Sequence, residues 1–150
     1  MGALILTKRL IACFDVVDGR VTKAQQFQDN IDVAPAEELA RRLYDDQIDE
    51  IVFYDITASA QQRKIDLETV RRVAHHVFVP FTVGGGITDI GTIRELLNAG
   101  ADKVSLNTAA VKNPDLINES SEIFGSQCIV VAIDAKWMGD RWIVYTHGGR

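Results

Sequence analysis

The sequence has little of what holds specialised or very small proteins together. Its 150 residues include two cysteines and three prolines, aromatics are 7%, and the 16 basic side chains are outnumbered by 21 acidic ones. Two cysteines cannot build a disulfide framework. Cys13 and Cys128 lie inside apolar runs and read as buried, reduced thiols of a cytoplasmic protein. The net charge of −5 repels a phosphate backbone, which argues against nucleic acid as a partner. No apolar run, Ile129–Ile133 among them, approaches the roughly 18 residues of a membrane span. Met1–Lys8 lacks the charged start and long apolar core of a signal peptide.

What is present is the composition of a globular α/β protein, 47% hydrophobic and 25% charged without low-complexity bias. Short runs of Val, Ile, Leu and Phe recur, each followed by a polar or glycine-rich turn and then by helical periodicity, the βαβα signature. Strands are predicted at Leu10–Phe14, Ile51–Tyr54, Phe81–Val83, Lys103–Leu106 and Ile129–Ile133. Their near-continuous apolarity predicts parallel strands covered on both faces. Helices are predicted at Pro35–Asp46, Lys64–His75, Asp89–Ala99 and Pro114–Phe124, with Gly100 and Gly125 placed as C-caps. Ala135–Trp137 and Trp142–Thr146 read as a hairpin, and no linker divides the chain.

The strand ends carry the functional signal: Asp15, Asp55, Gly84-Gly85-Gly86, Asn107-Thr108 and Asp134 follow the five runs in turn. Parallel α/β folds bind ligands at these carboxyl ends. A lone aspartate after a strand is a common turn former, but five ligand-ready ends in register point to a site. The stretch around Asp15 loosely repeats around Asp134, 119 residues later, as in a protein of two matched halves. Two such carboxylates can divide general acid and base work, against the plainer reading of two turn aspartates. The glycine turn and the helix start after it can cradle a phosphate on backbone N–H groups, with Asn107 and Thr108 beside it. Lys23, in a polar loop after the first strand, can reach over a ligand, although a loop lysine is more often merely solvated. Arg9, Glu50 and Lys103 lie at the opposite strand ends, an odd place for charge unless they pair. No metal-ligand spacing occurs, and no cofactor is implied.

Taken together, Arg9–Arg20, Asp49–Ser59, Pro80–Ile87, Gly100–Ala110 and Val131–Lys136 resemble the cyclase subunit of imidazole glycerol phosphate synthase, a (βα)8 TIM barrel of histidine biosynthesis. The resemblance implies that Asp15 and Asp134 are the catalytic pair. It also implies that Gly85, Gly86, Asn107 and Thr108 hold one phosphate of a bisphosphorylated substrate, under a loop carrying Lys23. Ammonia from a glutaminase partner would enter past Arg9, Glu50 and Lys103, with Asp102 on the partner-facing surface.

The chain departs from that pattern at Lys23-Ala24-Gln25-Gln26, where the family carries Lys-Gly, and at Asp32-Val33-Ala34-Pro35, where it carries Gly-Asp-Pro. It also departs in length, since 150 residues hold about five βα units while a whole barrel takes about 250 residues. Residues 1–150 are therefore expected to form one incomplete barrel domain, whose open sheet edges invite self-association. Two alternatives stand beside the cyclase: a non-catalytic half-barrel fragment serving as a phosphate-binding or assembly module, and the phosphoribosyl-formimino isomerase of the same pathway. The Asn107–Ala110 and Asp55–Ser59 stretches favour the cyclase over the isomerase.

Overall fold

The computed structural model describes residues 7–25, 28–58, 61 and 63–147. Apolar runs too short for helices become strands: β1 (Ile11–Val17), β4 (Glu50–Asp55), β5 (Phe81–Gly84), β6 (Lys103–Leu106) and β7 (Ile129–Val131). These five pair in parallel in the order β1-β4-β5-β6-β7. Helices α1 (Ala36–Asp45), α2 (Leu67–His76), α3 (Ile90–Asn98) and α5 (Asp115–Phe124) make the crossovers, with a short α4 (Thr108–Lys112) before α5. This is the architecture of the first five units of a (βα)8 barrel.

Local chemistry sets the helix ends. Asp66 and Asp89 cap α2 and α3 by accepting from the backbone N–H groups of Glu68 and Thr92. Gly100 and Gly125, with φ of +110° and +93°, stop α3 and α5 where L side chains would be strained. Pro35 ends a strand and precedes α1, rather than opening the helix itself.

The run read as a polar loop after the first strand is instead an antiparallel ribbon. Strands β2 (Arg20–Gln25) and β3 (Gln28–Pro35) extend the sheet beyond β1, so Lys23 stands on a strand. The turn is Asp18-Gly19, with φ of +49° and +76°. Positive φ at both central residues defines the type I′ hairpin that Asp-Gly favours. At the other end of the chain, β8 (Asp134–Trp137) and β9 (Trp142–Tyr145) form the expected hairpin, turning through Gly139 at φ +97°.

Coverage on both faces holds only for the middle of the sheet. Every residue of β5 is buried, whereas β1 alternates, burying Phe14 and Val16 against the helices and exposing Ile11 and Cys13. Val131 and Ile133 are exposed at the far flank. Among the described residues nothing packs across the inner face of these strands. The cysteines are not buried as expected: Cys13, on that uncovered face, is exposed, and Cys128, in a 3-10 turn just before β7, is half-buried, both as free thiols.

The core lies between sheet and helices and centres on Ile51, Phe53, Phe81, Ile93, Leu96 and Leu106. Phe53 and Phe81 stack across β4 and β5 with centroids 6.3 Å apart. Phe53→Ala should cost about 3–5 kcal/mol of unfolding free energy through lost transfer and a residual cavity, measured as a fall in the urea midpoint.

Candidate functional site

At the carboxyl end of β4 the buried Asp55 organises the top of the sheet. Its Oδ1 accepts from the backbone N–H groups of Thr57 and Ala58 at 3.2 and 3.0 Å and from the Thr57 hydroxyl at 3.1 Å. Arg63 closes a two-pronged pair on it, Nη1 to Oδ2 at 2.8 Å and Nη2 to Oδ1 at 2.9 Å. Nη2 also donates to Thr57 Oγ1 at 2.6 Å and lies 4.0 Å from Asp18 at the β1–β2 turn. The sequence reading noted Asp55 at a strand end but missed Arg63. An Asp-x-Thr turn with an arginine a few residues on was the available signal.

The glycine turn packs directly against this clamp. A Cβ on Gly85, at φ +98°, would collide with the Asp55 carbonyl oxygen, and one on Gly86, at φ +64°, would meet the Ala58 methyl at 2.7 Å. Glycine is required here by close backbone approach. The following helix end is already occupied, because Asp89 Oδ1 accepts from Thr92 N at 2.8 Å. That amide, then the Thr88 hydroxyl, hold the Asp89 carboxyl below its ordinary value of 3.8. A carboxylate therefore already stands at the α3 terminus, so an anion at this turn would draw chiefly on the glycine N–H groups and share the terminus with Asp89.

At the end of β6, Asn107 and Thr108 engage the chain that follows β7. Asn107 Nδ2 donates to Asp134 Oδ2 at 2.7 Å, and Thr108 Oγ1 accepts from His147 N at 2.9 Å. Lys112 and His147 meet at 3.4 Å beside it. Asp15 lies within the β1 ladder, paired with Thr22 on one side and Tyr54 on the other. Asp15 stands on β1 at one flank of the parallel row and Asp134 begins the separate β8–β9 hairpin that follows β7 at the other, and no hydrogen bond links them among the described residues. Lys23 is exposed on β2 and makes no ion pair among the described residues. Burial pushes the Asp15 carboxyl above its ordinary value of 3.8.

At the amino ends of the strands, the charges left open by the sequence do pair. Glu50 is 5% exposed and accepts from Arg9 Nη1 and Lys103 Nζ, each at 2.9 Å, with Thr82 Oγ1 at 3.4 Å. Two cations from β6 and the approach to β1 thus neutralise one buried acid. Asp102 is exposed, and its Oδ2 accepts from Phe81 N at 2.8 Å. Among the described residues no cluster of three or more His, Cys, Asp or Glu is placed to hold a metal. No described helix is long and apolar enough to cross a membrane.

A parallel βα row with polar groups gathered at its strand ends places the chain in the class of TIM-barrel proteins. Sequence comparison narrows the class: the pattern of the histidine biosynthesis protein family matches residues 9–150, and the chain belongs to that family. It is 56% identical over 146 residues to the imidazole glycerol phosphate synthase subunit HisF of Thermococcus onnurineus and 54% identical over 146 residues to that of Pyrococcus furiosus. Each alignment covers 97% of this chain, and the chain spans 58% of each relative's length.

Two stability tests follow from the site. Arg63→Met leaves the Asp55 carboxylate buried without its cation and should cost about 3 kcal/mol in chemical denaturation. Asp15 holds its proton more tightly folded than unfolded, so its favourable contribution is present below 3.8 and is lost as pH rises through the folded value. Asp15→Asn should therefore be more stable than the wild type at about pH 7, the gap closing by about pH 3, as read from urea midpoints at both pH values.

Proposed function

We propose that the chain provides the catalytic aspartates of an imidazole glycerol phosphate synthase cyclase. The observation that carries this reading is the 56% identity across 97% of the chain, with Asp15 near the carboxyl end of β1 and Asp134 three residues beyond the end of β7. In the reaction, ammonia attacks the ribulosyl ketone of the bisphosphorylated formimino aminoimidazole carboxamide ribotide. Ring closure and cleavage then give imidazole glycerol phosphate and aminoimidazole carboxamide ribotide. Each step moves protons, and two carboxylates on opposite sides of a ligand can share that work. The glycine turn, the Asn107 backbone N–H and Thr108 form one phosphate end, and Lys23 supplies a cation from β2 of the ribbon.

Ammonia would come from a glutaminase partner docked at the amino ends of the strands. There the Arg9-Glu50-Lys103 cluster forms a charged ring and Asp102 lies at the surface. This biosynthetic role carries the expectation of a cytoplasmic enzyme needing no cofactor. A second reading, a phosphate-binding half-barrel without turnover, is favoured by the exposed inner-face residues Ile11, Val131 and Ile133.

The test joins this chain to the part of the Thermococcus onnurineus relative that it does not span and assays turnover with ammonium chloride at alkaline pH. Turnover is expected, with Asp15→Asn and Asp134→Asn each lowering kcat on the order of 10²-fold or more. A silent wild-type fusion that still binds the substrate would reject the cyclase reading and leave the binding module.

A further inference from the structure

The resemblance gives Asn107 to the phosphate; the geometry points to a different task for its side chain. We propose that Asn107 is a positioning residue that clamps the Asp134 carboxylate through its side-chain amide. The proposal rests on the reading of Asp134 as a proton-transfer residue.

Asn107 sits where β6 ends and α4 begins, with φ −128° and ψ −82°. One of the two Nδ2 hydrogens of its amide is committed, donated to Asp134 Oδ2 at 2.7 Å. A carboxylate only accepts, so the nitrogen must be the atom that faces it. The other end, Oδ1, is buried and has no hydrogen-bond partner among the described residues. Leaving a buried carbonyl oxygen unpaired carries a desolvation cost, and turning the amide over to relieve it would set oxygen against oxygen at Asp134. The contact with Asp134 therefore dictates the rotamer. An anionic phosphate oxygen, itself an acceptor, gains nothing from Oδ1.

The clamp matters because Asp134 has little else to hold it. It is exposed at the first residue of β8, opposite Tyr145, and Asn107 is its only hydrogen-bonded side-chain partner among the described residues. No cation lies within ion-pair distance of it among the described residues, although Lys136 follows two positions along β8. Asn107 also joins two parts of the chain 27 residues apart, fixing the start of the hairpin to the end of β6. Misplacing a proton-transfer group by about 1 Å is enough to cost on the order of 10²-fold in rate.

In the fused protein described above, Asn107→Ala and Asn107→Ser should lower kcat on the order of 10²-fold while KM for the bisphosphorylated substrate stays within about twofold. Thr108→Ala should do the reverse, raising KM. A rise in KM with unchanged kcat for the Asn107 variants would make Asn107 a substrate ligand and overturn the proposal. The clamp is also read without turnover, by amide NMR of the unfused chain. One Asn107 side-chain N–H should resonate downfield of those of the exposed Asn113, and Asp134→Ala should abolish that difference. An Asn107 signal that ignores Asp134→Ala refutes the clamp. A silent wild-type fusion with an intact NMR signature would instead count against the cyclase reading alone.

Discussion

The pairing of Asp55 with Arg63 is the interaction on which the upper surface of the sheet depends. A carboxylate with 4% exposure is costly to bury unless its lone pairs are all used, and here two backbone amides, a hydroxyl and a guanidinium use them. Satisfying Asp55 folds the loop after β4 back onto the strand end. The folded loop, through Ala58 and the Arg63 carbonyl, leaves no room for a Cβ at position 86, while the Asp55 backbone itself excludes one at position 85. The glycine turn follows from its packing against the neighbouring strand end before it has anything to do with a ligand.

Most of the parallel sheet was legible in the sequence, because near-continuous Val/Ile/Leu/Phe runs with glycine or aspartate after them have few other outcomes. The five parallel strands fall within two or three residues of the predicted runs. The ribbon after β1 was not read, since Arg20–Gln25 and Gln28–Pro35 are too polar to look like strands, yet Asp18-Gly19 marks its turn. Burial of the cysteines was misjudged for a related reason. A residue's neighbours in sequence tell that it lies on a strand, while its exposure depends on which face of the pleat it occupies and what lies opposite. Cys13 occupies the uncovered face.

The site was legible as a set of strand ends, not as a network. Spacing placed Asp15, the glycine turn, Asn107 and Asp134 in register, but the bond from Asn107 to Asp134 spans 27 residues and leaves no local trace. The pairing of Glu50 with Arg9 and Lys103 spans 41 and 53 residues, and only the oddity of charge at those strand starts hinted at it. The two ends of the sheet thus hold charge differently. Glu50 and Asp55 are both buried and paired, one between two single-point cations and the other against a planar guanidinium whose fork fixes direction as well as charge.

The ribbon gives Asp15 a mechanical property that a loop would not. Its backbone is held in ladders on both sides, by Thr22 and by Tyr54, while Lys23 stands one residue beyond Thr22 on β2, between β1 and the outer strand β3. The register of β2 with β3 slips between Val21 and Thr22 and again between Lys23 and Gln25, and such bulges bend and twist a ribbon locally. The first slip falls at Thr22, the ladder partner of Asp15 itself, and the second beside Lys23. Asp15 thus stands between two unlike neighbours, the even parallel ladder of β4 and a ribbon that bends from its own partner Thr22 outward.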